Sequence, residues 1–353
     1  MIIKHSADVV IIGGGIIGAA VQYYLTKQNI TNTILLEKNS FSSGSTGQSG
    51  GFIRVYHNDP YLTEIAKEGI NDFFSISEEV KFKQTGMLYV ENETQHIKME
   101  KQIGELEKSG HKISILSPEV LKKEFKFINF PKNSCVAYEE QAGYISPSLA
   151  TNTWIETSRT KGALACEGIE VKEILMDNNC VVGVKTSYGT IHCKHVVVAA
   201  GAWSGNILDT IGIKIPVRSK IIQIHFFDGI GQTDHPIFID DSTGLYGRPD
   251  NLGTSLVGYP VDKYDIDPDK KMSIDPNDFE KMLQNSKNRL PYLNKKLFIG
   301  GRRSFDAYTS DNRGIIEQFP QAQGLIVATG WSGGGVKLAP GIGKRIAKMI
   351  TGV

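Results

Sequence analysis

The pattern of apolar and polar residues near the start of the chain predicts a strand, a glycine-rich turn, a helix and a second strand. Residues 8–12 are almost continuously apolar, as expected for a strand that is buried on both faces of a parallel sheet. Residues 13–18 have the spacing G-x-G-x-x-G and lead into a helical pattern from residue 16 to about residue 28. A second apolar run, residues 33–36, ends at Glu37. This order predicts a βαβ unit.

Each position of the glycine motif has a physical role at a pyrophosphate. Gly13 permits a tight turn, Gly15 lets the backbone approach the phosphates, and Gly18 lets the helix lie close to the sheet. The helix that begins at Ile16 offers free N–H groups and a partial positive charge. Glu37 is placed to accept hydrogen bonds from ribose hydroxyls and would repel a 2′-phosphate, which argues against NADP. The sequence therefore predicts dinucleotide binding.

Two later apolar runs, residues 196–201 and 325–330, also end in glycine and are expected to be buried parallel strands. The second is followed by another glycine-rich loop and by a helical pattern. Pro340 suits the first turn of that helix and Gly352 suits its end. The carboxyl-terminal part is therefore expected to return to the nucleotide-binding fold, which a large flavin nucleotide needs and a typical NAD dehydrogenase does not.

The segments between these runs have a different pattern. Residues 217–227 and 255–259 alternate as strands do, whereas residues 94–109 and 275–288 have the period of amphipathic helices. Together they predict an antiparallel sheet that covers the nucleotide site. Residues 263–269 are rich in aspartate, and they are expected to form an exposed loop rather than a cation site.

Composition excludes several classes of protein. The chain has 353 residues, a formal net charge of +1 and 40% hydrophobic residues, which fits a folded protein without a basic face for nucleic acid. The four cysteines lack metal-type and redox-type spacing, so reduced thiols, no metal site and no disulfide oxidoreductase activity are expected. The amino terminus lacks the order of a signal peptide, and the apolar residues 9–21 are too short to span a bilayer. A cytoplasmic protein without a transmembrane segment is expected.

Over nearly its whole length the chain resembles the D-amino acid oxidase superfamily of FAD-dependent oxidoreductases, and within it the sarcosine oxidase and glycine oxidase branch. Besides the amino-terminal fingerprint, the resemblance rests on the order of short motifs at residues 44–47, Arg54, and residues 142–147, 199–204, 246–249, 309–311 and 330–333. It implies an α/β plus α+β fold. A Rossmann-like FAD-binding domain would comprise residues 1–80, 145–215 and 307–353, and a discontinuous antiparallel-sheet substrate-binding domain would comprise residues 81–144 and 216–306.

The resemblance implies which residues contact FAD. They come from the fingerprint and from later segments that end strands or begin the last helix: Gly13, Gly15, Ile16, Gly18, Glu37, Lys38, Ser45, Thr46, Gly47, Val171, Ala200, Gly201, Trp203, Gly333, Gly334, Gly335, Val336 and Lys337. The N–H groups of the last glycine loop and the following helix dipole would stabilise the reduced, anionic flavin.

The resemblance also implies which residues carry the reaction. Arg54 and Lys337 match two cations that hold the substrate carboxylate, and Tyr246 matches a tyrosine that contacts the substrate. An arginine suits this role because its guanidinium pairs with a carboxylate through two hydrogen bonds. Less specific candidates for the pocket are Tyr56 and His57, together with Arg302 and Arg303, either of which could bind the carboxylate instead.

The chain departs from monomeric sarcosine oxidases at three places. Ser304 stands where they carry the cysteine that bonds to the flavin, so non-covalent FAD is expected. Leu256 or Val257 replaces their oxygen-activating lysine, and Pro260 replaces their active-site histidine. Because that positive charge is lost, a dehydrogenase with another electron acceptor is as credible as an oxidase that uses O2.

The expected reaction is oxidation of the C–N bond of a small amino acid or N-methyl amino acid by hydride transfer to flavin N5, with sarcosine, glycine, proline or a D-amino acid as substrate. Two alternatives stay open. One is an FAD-dependent dehydrogenase of a 2-hydroxy acid or glycerol phosphate, and the other is a flavin-bearing subunit of a multi-chain dehydrogenase. The expected partners are the substrate, O2 or another electron acceptor, and either a second copy or a partner subunit.

Overall fold

A computed structural model describes residues 5–230, 234–250 and 253–352. Residues 1–4 lie outside the described residues. They begin the amino-terminal segment in which no signal peptide is expected. The strands in chain order are β1 (Ser6–Ile12), β2 (Thr33–Leu36), β3 (Phe52–Ile53), β4 (Lys83–Gln84), β5 (Met87–Asn92), β6 (Ile113–Ile115), β7 (Ser134–Glu139), β8 (Gly143–Tyr144), β9 (Leu164–Cys166), β10 (Val171–Asp177), β11 (Cys180–Thr186), β12 (Gly189–Val198), β13 (Arg218–Phe227), β14 (Ile237–Asp240), β15 (Leu245–Pro249), β16 (Ser255–Gly258), β17 (Phe298–Tyr308), β18 (Ile315–Phe319) and β19 (Ala322–Thr329). The helices are α1 (Ile16–Lys27), α2 (Ser45–Gln48), α3 (Pro60–Phe74), α4 (His96–Lys108), α5 (Pro118–Glu124), α6 (Pro147–Thr160), α7 (Ser204–Asp209), α8 (Pro276–Ser286) and α9 (Gly335–Thr351).

The first large sheet has the strand order β10-β11-β19-β12-β1-β2-β9, with β18 paired to β19. Its central pairs, β12–β19, β1–β12, β1–β2 and β2–β9, are parallel. Alternate residues of β1 enter different cores, because Val9 and Ile11 pack with α1 and α9 whereas Val10 and Ile12 pack with β10 and β11. Both faces are therefore covered, as predicted from the continuous apolar runs, and the Rossmann-like part of the predicted fold is confirmed.

The last helix begins earlier than the sequence predicts. α9 starts at Gly335, so Pro340 lies inside the helix and not in its first turn. The start of the helix is not predictable from the residues before Pro340, because they include glycines and glycine has low helix propensity. In the structure, packing of α9 against α1 and α3 overrides that local preference. Gly352 ends the helix in the left-handed conformation with φ 73°, as predicted.

The second large sheet has the strand order β17-β13-β16-β15-β14-β5-β7-β6. It is antiparallel except at β5 and β14, which pair in parallel with Ile237 opposite Met87. The expectation of a wholly antiparallel sheet is therefore wrong at this one pair. Neighbouring strands joined by short turns must run antiparallel, but β5 and β14 come from two distant parts of the chain and no turn fixes their direction.

A small third sheet, β3-β8-β4, lies beside the other two and ends next to Arg54. The strands of the first large sheet lie within residues 6–36, 164–198 and 315–329, and those of the second lie within residues 87–139 and 218–308. The division into two domains at the predicted boundaries remains a prediction. Among the residues described, no helix combines the length and the apolar character needed to cross a membrane.

Candidate active site

A cavity of about 1100 Å³ lies between the two large sheets. On one side it is lined where β1, β2, β12 and β19 end, and on the other side by residues of β13, β15 and β17. The space beyond the carboxyl ends of parallel strands is where open α/β sheets bind ligands. Sites for drug-sized ligands usually have roughly 300–1,000 Å³, so this cavity has room for a dinucleotide and a small substrate.

Most residues predicted to bind the cofactor or the substrate line this cavity: Gly13, Gly15, Ile16, Glu37, Lys38, Ser45, Thr46, Val171, Ala200, Gly201, Trp203, Gly333, Gly334, Gly335, Val336, Lys337, Arg54 and Tyr246. Gly18 and Gly47 do not line it, and each packs against backbone instead. A Cβ atom at Gly18 would lie 2.0 Å from the carbonyl oxygen of Gly13, and one at Gly47 would lie 2.5 Å from that of Ser42. The structure brings the predicted residues together, while their roles in binding remain predictions.

The amino-terminal glycine loop forms one wall of the cavity. Gly13 has φ 112°, and a Cβ atom there would lie 2.5 Å from the carbonyl oxygen of Ala199, so only glycine fits. The hydroxyl of Thr46 accepts a hydrogen bond from the N–H of Ile16 at 3.1 Å, which ties α2 to the start of α1. The first turn of α1 contains no acidic residue, so its partial positive charge is available to an anion.

The carboxylate of Glu37 is anchored beside this loop. One oxygen accepts the N–H of Gly14 at 2.8 Å, and the other accepts the N–H of Asn39 at 2.8 Å. A carboxylate has about four acceptor positions, so lone pairs remain for the hydroxyl groups of a sugar. Glu37 thus lies at the end of β2, the position predicted for a ribose-binding acid.

The start of α9 forms another wall, on which both backbone polar groups of Gly333 are held by side chains. Its N–H donates to Asp306 Oδ2 at 2.8 Å, and its carbonyl oxygen accepts from Lys337 Nζ at 3.2 Å. Burial raises the pKa of Asp306, whereas the N–H groups of Ala307 and Gly333 and the charge of Lys337 oppose this rise. The N–H groups of the first turn of α9 and its dipole favour a negative charge in the cavity.

Arg54 follows β3 and is 8% exposed. Its guanidinium donates to the carbonyl oxygen of Tyr56 and lies 5.3 Å from the ring centre of Tyr89. The segment is fixed by Glu139, whose carboxylate accepts the N–H groups of Val55 at 2.7 Å and Tyr56 at 3.0 Å. Arg54 is thus held rigidly at the wall of the cavity.

Arg54 and Lys337 place two buried positive charges on the same cavity. Lys337 is 7% exposed, and burial, followed by the charge of Arg54, lowers its pKa to about 7, while Asp306 opposes this shift. In the described part of the chain, backbone carbonyl groups are the hydrogen-bond acceptors of both cations, and neither forms an ion pair. An anion that enters the cavity would therefore find two cations without a carboxylate partner.

The two weaker candidates beside Arg54 differ in position. His57 lines the cavity, whereas the buried Tyr56 does not. His57 Nδ1 lies 2.9 Å from the carbonyl oxygen of Val55, which assigns a proton to Nδ1. Burial, followed by the charges of Arg54 and Lys337, holds the pKa of His57 well below its usual value, so the imidazole is neutral. Its Nε2 atom has no hydrogen-bond partner among the residues described.

The alternative carboxylate-binding arginines lie outside the cavity lining. Arg302 donates to the carbonyl oxygen of Ser49 at 2.9 Å, and Arg303 forms an ion pair with Asp278 at 2.6 Å. Tyr246, by contrast, lines the cavity and packs edge-on against Phe52 with ring centres 6.1 Å apart. Burial raises the pKa of Tyr246 to about 12, so its hydroxyl group remains protonated.

Several cavity residues have no signal in the sequence. Phe52, Tyr89, Asp241, Asp306 and Tyr308 line the cavity beside the predicted residues. They lie in strands far apart in sequence or, for Asp241, directly after one, and the periodicity of a strand shows only which of its faces a residue occupies. The sequence motif at residues 309–311 lies next to Tyr308 and was the nearest available signal.

Only some of the positions at which the chain departs from monomeric sarcosine oxidases lie at the cavity. Ser304 and Pro260 line the cavity, whereas Leu256 and Val257 are buried in β16 and do not. The cysteines do not line it either. In the part of the chain that the structure describes, no group of three or more histidine, cysteine or acidic residues is arranged to hold a metal ion.

A parallel sheet with a glycine fingerprint, a ribose-type acid and a cavity at its carboxyl edge defines a dinucleotide-binding protein. The chain belongs to the family described as "FAD dependent oxidoreductase", which matches residues 8–349. The predicted membership of the D-amino acid oxidase superfamily is confirmed, and with it the use of FAD.

Individual relatives agree with this assignment. The chain is 26% identical to the "FAD-dependent oxidoreductase domain-containing protein 1" of Xenopus laevis, over 98% of this chain and 79% of the relative. It is 25% identical to the monomeric sarcosine oxidase of Arthrobacter sp. (strain TE1826), over 100% of this chain and 94% of the relative. The crystal structure of L-proline dehydrogenase from P. horikoshii superimposes with a TM-score of 0.89 at 26% identity, covering 99% of this chain and 94% of that chain.

Proposed function

We propose that the protein oxidises the C–N bond of a small amino acid or N-methyl amino acid whose carboxylate is held between Arg54 and Lys337. The observation that carries this proposal is the pair of buried cations on one cavity without a carboxylate partner in the described residues. Although Glu139 lies near Arg54 and Asp306 near Lys337, neither cation forms an ion pair with a residue that the structure describes, and buried cations bonded only to backbone carbonyl groups favour an anionic ligand. The similarity to a sarcosine oxidase and an L-proline dehydrogenase supports a substrate with a secondary amine.

The residues present fit FAD as the cofactor. The loop at Gly13 and Gly15 and the start of α1 would hold the pyrophosphate, Glu37 would hold the ribose, and the start of α9 would face the flavin ring. When bound, FAD accepts a hydride from the carbon atom next to the substrate nitrogen. Because Ser304 and not a cysteine lies at the cavity, we propose that FAD is held without a covalent bond.

The substrate-binding residues would act by orientation and electrostatics. Arg54 can form two parallel hydrogen bonds with a carboxylate, and Lys337 adds a point charge, so together they would fix the carboxylate and thereby the carbon atom next to it. Their positive charges also lower the pKa of a bound ammonium group, because like charges disfavour its protonated form. The amine must be neutral for hydride transfer, so the two cations would favour the reactive form. Tyr246 can donate its hydroxyl proton in a hydrogen bond to the substrate.

A second candidate is oxidation of a 2-hydroxy acid. The same pair of cations would hold the carboxylate of lactate or a similar acid, since neither Arg54 nor Lys337 recognises the nitrogen atom. In both candidates the carbon atom next to the carboxylate gives up a hydride, and they differ in whether that carbon carries an amine or a hydroxyl group.

The test is an anaerobic screen of the purified flavoprotein, followed by admission of air. Sarcosine, glycine, L-proline or a D-amino acid is expected to bleach the flavin absorbance, whereas lactate and glycerol 3-phosphate are not. Bleaching by the hydroxy acids alone would favour the second candidate, and bleaching by none of them would favour a flavin-bearing subunit. Return of the colour within seconds of air admission would indicate an oxidase, and slow return would indicate a dehydrogenase.

A further inference from the structure

The loop at residues 262–270 contacts the cofactor side of the cavity. Its tip, Pro268 and Asp269, lines the cavity, although the loop belongs to the second sheet and is exposed for most of its length, as the sequence predicts. The contact is made by Asp269 Oδ1, which accepts a hydrogen bond from Lys38 Nζ at 2.5 Å and another from Trp203 Nε1 at 3.1 Å. One carboxylate oxygen thus joins two residues that follow strands of the first sheet to a loop of the second.

The three side chains form a compact group that we name the clasp: Lys38, Trp203 and Asp269. The ammonium group of Lys38 lies 4.2 Å from the ring centre of Trp203, which is a cation–π contact. The ring of Trp203 packs edge-on against Phe305 of β17, with ring centres 5.1 Å apart. The ion pair with Lys38 lowers the pKa of Asp269, so its carboxylate is ionised at neutral pH.

The base of the loop is fixed to the second sheet. Asp265 forms an ion pair with Arg218 at 2.5 Å, and its N–H donates to the carbonyl oxygen of Ser219 at 2.8 Å. The hydroxyl group of Ser219 donates to the carbonyl oxygen of Ile266 at 2.5 Å. Because the base is anchored on β13, the contacts of Asp269 at the tip connect the two sheets across the cavity.

The clasp closes the end of the cavity that carries the ribose-type acid. Glu37 is adjacent to Lys38 in sequence, and both line the cavity together with Asn39, Val171 and Trp203. A dinucleotide bound at this end would lie beneath the clasp. Nothing else in the proposed function requires Asp269, whose side chain is 62% exposed.

We propose that Asp269 is a positioning residue that retains FAD: it fastens the loop at residues 262–270 over the cofactor, and FAD leaves after the clasp opens. The proposal rests on the proposed cofactor site. It adds that the rate of FAD release depends on a contact between the two sheets, in addition to the contacts that Lys38, Trp203 and the other predicted residues make with FAD. Asp269 acts through Lys38 and Trp203 and takes no part in the oxidation.

The test compares Asp269→Asn and Asp269→Ala with the wild-type holoenzyme. The rate of FAD dissociation is followed by the rise of free FAD fluorescence after dilution. A partly exposed ion pair and a charge-assisted hydrogen bond together predict dissociation about three to ten times faster in both variants. The turnover number at saturating FAD and the absorbance spectrum of the bound flavin are expected to stay unchanged. High salt should accelerate release from the wild type more than from Asp269→Asn, because salt screens the ion pair.

The matched control is Asp267→Asn, which removes the charge of an acid that pairs with Lys270 at a distance of 3.9 Å in the same loop. Asp267 Oδ1 accepts the N–H of Asp269 at 3.0 Å, and the amide oxygen of asparagine can keep this hydrogen bond. The FAD dissociation rate of this control should equal that of the wild type. The double variant Lys38→Met/Asp269→Asn should accelerate FAD release by less than the product of the two single effects, because both changes break the same ion pair. Equal dissociation rates in wild type and Asp269→Asn would overturn the proposal. A wild-type protein that binds no FAD would instead overturn the proposed cofactor site.

Discussion

At the scale of single residues, the charge of Lys337 depends on pH in the physiological range. Its pKa is lowered to about 7 by burial and by Arg54, so the free site loses one positive charge as the pH rises through this value. A bound carboxylate favours the protonated ammonium form. Carboxylate binding should therefore be strongest below about pH 7 and should weaken above it.

The first prediction tests this dependence with cyclopentanecarboxylate, which has the ring and the carboxylate of proline but no nitrogen to titrate or to oxidise. Its affinity for the holoenzyme is measured from the shift in flavin absorbance between pH 6 and pH 9. Above pH 7 the affinity should fall by up to about tenfold per pH unit, because the fraction of Lys337 that is protonated falls tenfold with each unit. Lys337→Met should bind more weakly and without this dependence. A wild-type affinity that is constant over this range would show that Lys337 does not meet the ligand.

The second prediction concerns Arg54. Arg54→Lys keeps the charge but loses the pair of parallel hydrogen bonds, and it should weaken cyclopentanecarboxylate binding about 10- to 100-fold, as expected for charged hydrogen bonds worth roughly 1.5–3 kcal/mol. The same absorbance titration measures it. Lys98→Met, which removes an exposed cation at the cavity, is the matched control and should change the affinity little. If Arg54→Lys weakened binding no more than Lys98→Met does, the paired hydrogen bonds of Arg54 would not contribute to binding, and a direct contact of Arg54 with the carboxylate would be contradicted.

The cavity residues that could be predicted from the sequence are placed by local motifs, whereas those that could not are placed by packing between distant segments. Glu37 and Gly13 could be predicted because the motif that places them is contiguous along the chain. Tyr89 and Asp306 could not, because their position depends on how β5 and β17 pack against other parts of the protein. Asp269 was predicted to be exposed, and it is, but its contact with Lys38 spans 231 positions and has no local signal.

At the scale of secondary-structure elements, the packing of α1 against β1 leads to the third prediction. Glycine to alanine in the middle of a helix normally stabilises it by about 0.5–1 kcal/mol. In Gly18→Ala the new Cβ atom would lie 2.0 Å from the carbonyl oxygen of Gly13, so the sign should reverse and the free energy of unfolding should fall by about 1–3 kcal/mol or more. Urea unfolding of the apoprotein measures the change, and FAD affinity should fall as well because the glycine loop must move.

The control at this scale is Gly104→Ala in α4. A Cβ atom there meets nothing within 4 Å, so this substitution should raise the free energy of unfolding by the ordinary helix-propensity difference. Opposite signs for the two variants are expected. If both substitutions stabilised the protein, α1 would not lie against β1 as described.

The elements also show where local patterns fail. The pattern at residues 33–36 coincides with β2 because every residue of that strand is buried, which leaves no ambiguity in its length. The direction of β14 relative to β5 and the start of α9 before Pro340 were not predictable, because both follow from packing between distant segments. Pro340 itself packs closely on α3, where a Cβ atom at Gly69 would lie 2.5 Å from the Cβ atom of Pro340.

At the scale of the whole molecule, both ends of the described chain meet at the proposed cofactor site, since α1 packs on α9 and the cavity is lined by the starts of both helices. A ligand that binds there only in the folded state stabilises the entire protein, by about 2.7 kcal/mol when its free concentration is 100 times its Kd. If FAD is held without a covalent bond, the stability of the protein must therefore depend on the FAD concentration.

The fourth prediction is that apoprotein prepared by acid precipitation can be reconstituted, and that its Tm rises with added FAD over the range in which the flavin absorbance saturates. After precipitation of the holoprotein with acid, the yellow colour should remain in the supernatant, because Ser304 stands where monomeric sarcosine oxidases carry the bonding cysteine and no cysteine lines the cavity. Riboflavin should raise the Tm much less than FAD does, since it lacks the pyrophosphate and the ribose that the loop at Gly13 and the acid Glu37 would hold. Colour that stays in the pellet would contradict non-covalent binding. Equal stabilisation by riboflavin and FAD would contradict the role of the amino-terminal loop while leaving the flavin end of the cavity unchallenged.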